Sequence, residues 1–384
     1  MRTDDLLLIA VGGAAAGVAR FVIERAATNM RVLILDTDDA VLQSVSPMEG
    51  VSATIFGAKR LSGRGTGGDR RLGAGALRDD AALVQSQIGS PRLAILLTCC
   101  GGGTSGAVPT LLEMLRNQGI ATMTFATMPF SFEGADRQQC ATVMMPTIAS
   151  ASDAVARVPL DSLLSEAQLK LPKAEAFAIV AERLAAGLTL LWKLLAQPDF
   201  LVFDCERFHR FLSNGSGNGF PCTFADVSFS GPTRAEQALE ALVTSPRFSP
   251  DGIDRLANAS QVIVGVLAGD DFRLSELGTL MDGLRKHCAA AQEVLLGTAR
   301  DTASPGVLSV VVMAFALPGA DVAERPELGL SATAGKRRSS KRSGRSASPL
   351  SVVKNRFTDV EQTIVNGQDL DVPTYQRRGI RLSR

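Results

Sequence analysis

AILLTCCGGGTSGAVPTLLEMLRNQG, residues 94–119, decides the fold. AILLT (94–98) reads as a short buried strand. Three glycines, Thr104 and Ser105 follow, and PTLLEMLRNQG (109–119) has the apolar spacing of a helix stopped by glycine. A strand that ends in small residues and feeds a helix is the repeating unit of a parallel α/β sheet. Small residues at that corner let backbone amides approach a phosphate, and the helix N-terminus adds partial positive charge.

The unit recurs on both sides. Upstream, LLLIAV (6–11) runs into Gly12-Gly13-Ala14-Ala15-Ala16-Gly17, a helix-like stretch at 14–29 and a second strand, RVLILDTD (31–38). Downstream, IATMTFATMPF (120–130) reads as a further strand, and AEAFAIVAERLAAGLTLLWKLLAQ (174–197) as a long apolar-striped helix. Shorter elements come next: a strand near 222–230, a helix at 233–243, a strand at 261–269, a helix at 273–290, and strands at 293–300 and 307–317. The expected fold class is α/β. A doubly wound, mostly parallel sheet (1–173) is joined by a bridging helix (174–198) to a smaller α+β domain (199–319). FGAKRLSGRGTGGDRRLGAGALRDD (56–80) interrupts the first domain and reads as a glycine-rich, basic loop. From about residue 320 the pattern collapses. SATAGKRRSSKRSGRSAS (331–348) carries six basic and no acidic residues, so 320–365 is expected to be a disordered linker before a terminal peptide, 366–384.

Composition narrows the function. The chain has 384 residues, 46% hydrophobic and 21% charged, a globular balance too large for one ordinary core. A net charge of +1 gives no overall field toward nucleic acid, and no specific nucleic-acid partner is predicted. With only His209 and His287, a His-rich metal site or a Ser-His-Asp triad is a poor fit, and no protein-held metal is expected. The six cysteines form no CxxC pair, nothing resembles a secretory signal, and no stretch reaches the ~20 apolar residues of a membrane span. The reading is a cytosolic chain with reduced thiols.

Four loops at the C-terminal ends of the strands converge on one sheet edge, where open α/β folds bind ligands. The first, 12–17, suits a phosphate, a dinucleotide with Asp36 on its ribose, or nothing more than a tight turn. The second, Gly101-Gly102-Gly103-Thr104-Ser105-Gly106, makes a pair with it, and two such loops fit a triphosphate better than one dinucleotide fingerprint does. The third is Leu72-Gly73-Ala74-Gly75-Ala76. The fourth, PFSFEGADR (129–137), sets Glu133 and Arg137 on one helix face, where they also suit a surface ion pair.

The order GG-small-G, LDTD, LGAGA, GGGTSGAVP and PFSFEG-x-x-R resembles the nucleotide-binding domain of FtsZ, in the tubulin/FtsZ superfamily. The resemblance implies that 12–17 and 101–106 hold the phosphates of GTP or GDP. It further implies that Gly73, Ala74 and Gly75 lie by the γ-phosphate, that Glu133 and Arg137 hold ribose and base, and that Phe177 stacks on guanine. Phe177 also reads as a core aromatic. Mg²⁺ would be held by phosphates and water.

AQPDFLVFDCERF (196–208) resembles the family's loop that enters the neighbouring subunit's pocket and promotes hydrolysis. Asp204 matches the first of its two acids; Arg207 stands at the second, and Glu206 is one residue off. GQDLDVPTYQRRG (367–379) resembles the C-terminal peptide that binds membrane tethers and division regulators, here through Leu370, Val372, Pro373 and Tyr375. What is implied is a cytoplasmic GTPase that polymerises with itself head to tail for bacterial division, under the inner membrane at the division site.

Departures from the pattern predict slow turnover. The second loop is shortened, the family's base-binding Asp falls on Ala181 with Glu182 beside it, and three alanines in the first loop would crowd a phosphate. The basic insert at 62–71 has no counterpart and reads as a solvated surface loop. A second FADV (224–227) precedes SGPTRAEQ, where a strand is expected, and is rejected as the catalytic loop. The competing function is a tubulin-like scaffold that binds nucleotide weakly or hydrolyses none; a nicotinamide dehydrogenase would explain neither the second glycine loop nor the tail.

Overall fold

A computed structural model describes residues 3–26, 30–45, 48–164, 168–197, 199–214, 219–249, 253–301 and 304–317, with 364–365 and 368–369 beyond them. In chain order the N-terminal half contains β1 (Leu6–Val11), α1 (Gly13–Ala26), β2 (Val32–Asp36), α2 (Asp39–Gln43), β3 (Val51–Ile55), α3 (Ala58–Leu61), α4 (Arg70–Asp79) and α5 (Ala81–Ile88). It continues with β4 (Leu93–Cys99), α6 (Val108–Asn117), β5 (Ala121–Met128), α7 (Ala135–Ala151) and β6 (Ala154–Pro159). α8 (Lys173–Ala196) and α9 (Cys205–Asn214) follow, then β7 (Phe220–Ser230), α10 (Arg234–Val243), β8 (Gln261–Ala268), α11 (Leu274–His287), β9 (Glu293–Arg300) and β10 (Val307–Phe315).

Among the described residues these strands form one sheet, ordered β3-β2-β1-β4-β5-β6-β7-β10-β8-β9. Every pairing is parallel except those of β10 with β7 and β8. The α/β, mostly parallel expectation holds. β1 is buried along its whole length, LLLIAV without a polar residue, because helices cover both faces. Leu6, Leu8 and Ala10 pack on the side of α1 and α8, while Leu7, Ile9 and Val11 pack on the side of α4 to α7. The sheet does not stop at α8: Ala154, Val155 and Ala156 of β6 pair with Phe220, Pro221 and Cys222 of β7.

The largest departure from the sequence reading lies in 56–80. It is not one loop, since α3 and α4 cut it, and LGAGA sits inside α4. Asp69 caps that helix by accepting the Arg71 amide at 2.7 Å. The rejected FADV does lie in a strand, β7, where Asp226 accepts from Arg247 at 2.9 Å.

Residues up to Arg325 make one compact unit and Pro326–Arg384 a second. In the second, Ile364–Val365 pairs antiparallel with Gln368–Asp369. Leu370, Val372, Pro373 and Tyr375, with nearly all of the expected linker, lie outside the described residues.

Candidate functional site

The C-terminal edge of β1, β4 and β5 is built by backbone. α1 begins at Gly13, one residue after β1 ends, and its first internal bond runs from the Ala16 amide to the Gly12 carbonyl. The amides of Gly13, Ala14 and Ala15 therefore lack helical acceptors, and Gly13 and Ala14 are exposed. Ala15 and Ala16 are buried in the core. Their methyls turn away from this edge, which corrects the expectation of three crowding alanines: only Ala14 faces out.

The other glycine turn lies alongside. A Cβ at Gly12 would sit 3.6 Å from the Thr104 Cβ. Gly103–Ala107 is a 3-10 turn leading into α6, held by the Ser105 hydroxyl on the Gly102 carbonyl at 2.6 Å. On its far side it meets the fourth loop, since a Cβ at Gly101 would lie 3.3 Å from Pro129.

That loop carries an aromatic step. Phe130 packs edge-on to Phe177 of α8 with centroids 5.1 Å apart, and Phe132 stacks on Phe130 at 4.9 Å. Phe132 is 64% exposed, and the Lys173 ammonium sits 5.7 Å from the Phe177 ring centre. Glu133 accepts from the Phe130 amide at 2.9 Å and from Arg137 at 2.7 Å. The structure thus brings 12–17, 101–106, Glu133, Arg137 and Phe177 to one edge.

Gly73, Ala74 and Gly75 are not the backbone donors expected. They lie in a helix, and the Gly73 amide is bonded to the Asp69 carbonyl at 3.3 Å. Gly73 instead lets α4 close on the second turn, because a Cβ there would overlap the Gly103 carbonyl. The segment lying against that turn is the insert, Gly63–Asp69. Gly63, Gly65, Gly67 and Gly68 all have positive φ, between 57° and 90°, which no helix accepts. Thr66 is buried, and a Cβ at Gly103 would fall 2.6 Å from the Gly68 carbonyl carbon. On the other side, the Gly65 amide bonds the Thr37 carbonyl and the Asp39 amide bonds the Gly63 carbonyl, both at 3.0 Å. Thr66 anchors the insert along the site, while Ser62, Arg64, Gly67, Gly68, Asp69 and Arg71 stay exposed, as expected of a surface loop. Four glycines in six residues followed by a capping Asp was the signal the LGAGA match obscured.

Asp204, Glu206 and Arg207 occupy the opposite edge. Segment 199–203 runs along β9: the Asp199 amide donates to the Thr298 carbonyl and the Thr298 amide to the Leu201 carbonyl, each at 2.9 Å. Leu201 and Phe203 point inward, whereas Phe200 and Val202 are 52% and 68% exposed. Asp204 is exposed and caps α9, accepting the Arg207 amide at 2.9 Å. Glu206 makes a two-pronged pair with Arg92, whose Nη2 donates to Oε2 at 2.8 Å. Arg92 immediately precedes β4, and its amide bonds the Asp5 carbonyl just before β1. The two glycine turns follow the far ends of those strands. Seven residues of β4 at roughly 3.3 Å each put about 20 Å between the two edges.

Charge differs accordingly. Arg92 holds the Glu206 carboxyl below its ordinary range. At the edge of the glycine turns, burial pushes the Asp36 carboxyl up despite amide bonds from Thr37 and Asp38. Burial also lifts the Cys100 thiol to about 12 and the Cys99 thiol to about 11. These thiols stay neutral beneath the turn, where a thiolate would repel an anion. Among the described residues no cluster of three His, Cys, Asp or Glu could hold a metal.

Residues 10–168 match the model of the Tubulin/FtsZ family, GTPase domain. The cell division protein FtsZ of Buchnera aphidicola subsp. Schizaphis graminum is 26% identical over 309 residues, covering 80% of this chain and 78% of that protein. A solved FtsZ dimer, empty, from M. jannaschii superimposes with a TM-score of 0.72 at 20% identity, over 81% of this chain and 88% of that one. CetZ2 from Haloferax volcanii, in a GTPγS-bound protofilament, gives 0.65 at 21%, over 82% and 92%. In family match, in sequence and in fold the chain is similar to tubulin/FtsZ proteins, with residues 10–168 matching their GTPase domain.

Proposed function

We propose that the chain binds GTP and GDP at the edge formed by 12–17, 63–69 and 101–106. In this reading Phe177 and Phe132 receive the base, with the buried Phe130 packed against both, and Glu133 and Arg137 the ribose and base edge. It assembles head to tail with copies of itself, hydrolyses GTP slowly, and serves bacterial cell division from the cytoplasm. The observation that carries this is the separation of the two edges. Asp204 lies about 20 Å from the phosphate turns of its own chain, so it reaches a nucleotide only on a second copy stacked along the strand direction. Such a contact joins unlike faces and propagates as a filament. The exposed Val202, two residues before Asp204, supplies apolar surface for it. The relatives support the same reading, one a dimer and one a protofilament.

In the proposed site the free amides of Gly13, Ala14 and Ala15 and those of the second turn bind the phosphates, working through dipoles already oriented. Mg²⁺, held by phosphates and water, supplies charge neutralisation. Asp204 orients the attacking water. With Glu206 bound to Arg92 and Arg207 replacing a second acid, water activation rests on one carboxylate that also caps a helix. That accounts for slow turnover and is the observation favouring the scaffold alternative. The domain division proposed is nucleotide-binding to 173, bridging helix to 198, and α+β to 319, with a partner-binding peptide, 366–384, for tethers and regulators.

Equilibrium GTP binding combined with phosphate release across protein concentration tests the reading. The expected result is tight binding at all concentrations, with turnover per molecule rising steeply once filaments form. Concentration-independent turnover would sink the shared site; binding with no release at any concentration selects the scaffold.

A further inference from the structure

We propose that Arg207 is an arginine supplied in trans: on assembly it leaves Glu293 of its own chain and donates to the terminal phosphates bound by the neighbouring copy. The inference rests on the head-to-tail reading and names the group that replaces the missing acid.

Three observations carry it. Arg207 lies in the first turn of α9, where a cation opposes the helix dipole, and the contact that holds it there is its ion pair with Glu293. Its amide is bonded by Asp204, which fixes the two side chains on the same turn at the same edge. And the Arg207 side chain is 56% exposed, with Glu293 at the start of β9 engaging one of its guanidinium nitrogens. Five donors in a rigid fork leave others able to meet phosphate oxygens, which they match better than any other side chain does.

The neighbouring residues divide the roles. Glu206 has its charge answered by Arg92 across two hydrogen bonds and stays out of the chemistry. Asp204 and Arg207 both lie exposed at this edge, one a carboxylate and the other a guanidinium cation. Water attacks the γ-phosphorus and the bond to the bridging oxygen breaks, with GDP as leaving group. Arg207 forms no bond in this step. Its N–H groups stabilise charge on the γ-phosphoryl and bridging oxygens while Asp204 orients the water, whose proton ends on phosphate or solvent. Arginines used this way raise phosphoryl-transfer rates by orders of magnitude, and a cation here also draws the next copy toward a nucleotide-loaded edge.

The test uses the full chain in two regimes. Below the assembly concentration, affinity for a fluorescent GTP analogue is measured; above it, phosphate release is normalised to sedimented protein. Arg207→Ala is expected to bind the analogue as the wild type does, because the residue lies at the far edge from its own turns, and to lose about a thousandfold in turnover. Arg207→Lys is expected to fall between the two, and Glu293→Gln, which only frees the arginine, to equal or exceed the wild type. Arg207→Ala with wild-type turnover per sedimented molecule overturns the inference, as does weakened binding by that variant when unassembled. A wild-type protein that shows neither GTP binding nor assembly overturns the head-to-tail reading first and this one with it, so the two failures are distinguishable.

Discussion

At the C-terminal edge of β1, β4 and β5, the chain sets glycines so closely that Gly103 and Gly106 admit no side chain: added Cβ atoms would meet Gly68 and Arg70 backbone. At the N-terminal edge of the same strands it sets Arg92, Glu206 and Arg207, whose side chains reach partners far along the chain, and Asp204, which caps its own helix. The first edge offers amides of fixed aim and keeps Asp36 and the neutral Cys100 thiol buried, with the Arg137 side chain exposed beside them. The second offers charges on long side chains that can change partner. An anion pocket benefits from rigid dipoles, whereas a surface that must meet another molecule benefits from groups that adapt on contact. The contrast teaches that binding and turnover are separable by mutation in this chain.

The heaviest blow to the rigid edge is Gly106→Ala, whose Cβ would fall 1.9 Å from the Arg70 carbonyl oxygen. Forcing α4 off the turn is expected to cost about 3 kcal/mol in denaturant unfolding and to abolish GTP binding. A stable variant that still binds would break the claim that backbone approach forms this site.

At the other edge Asp204 has two jobs, which substitution can divide. Asp204→Asn keeps an oxygen for the Arg207 amide and is expected to hold stability while lowering assembled turnover about 10²-fold. Asp204→Ala should lose the same turnover and also about 1 kcal/mol of stability. Neither should change the affinity of an unassembled copy, and calorimetry on both proteins checks it.

Ala14→Asp sharpens the division from the binding side. An acid in the exposed first turn of α1 suits the helix dipole, so the melting temperature should be unchanged or raised. A phosphate at the same turn is repelled, and GTP binding should weaken at least about tenfold.

pH gives the smallest and most graded contrast. The native state holds the Cys100 proton up to about 12, while the unfolded chain releases it near 9. The native state then binds more protons, and stability falls as pH rises through that window, by about 1.4 kcal/mol per pH unit for this thiol. Acid acts on the opposite edge. The Glu206 carboxyl, lowered by Arg92, contributes above its unfolded value and loses its contribution as pH falls through the folded one. Hydrogen exchange should accordingly find the 101–106 turn loosening first in alkali and the start of α9 first in acid.

Much of this was legible from residues alone. LLLIAV, AILLT and the long stripe of α8 read correctly because burial on both faces, or along one stripe, imposes a run or a period that survives in sequence. Helix α7, strand β6 and helix α9 were not assigned, since their apolar spacing is interrupted by polar and small residues and Pro146 stands inside α7. The site was half legible. Two glycine turns, Glu133, Arg137 and Phe177 do share one edge, but 73–76 meets the second turn as part of a helix, and 63–69 lies against the same turn. Both stretches are rich in small residues, and only the Asp69 cap decides which of them coils into a helix. Arg92 gave no signal at all, because its partner is 114 positions away.

The sequence by itself determined the parallel α/β framework and the corners where phosphate-type turns form, because strand burial, glycine content and helix starts are set by neighbours along the chain. Only the tertiary structure decided that Ala15 and Ala16 face the core while Ala14 faces out, that Thr66 anchors the basic insert along the site, and that Glu206 is spent on Arg92 while Arg207 rests on Glu293. Helix phase against a sheet and the pairing of remote charges depend on which surfaces meet in space, and no local pattern of residues carries that information.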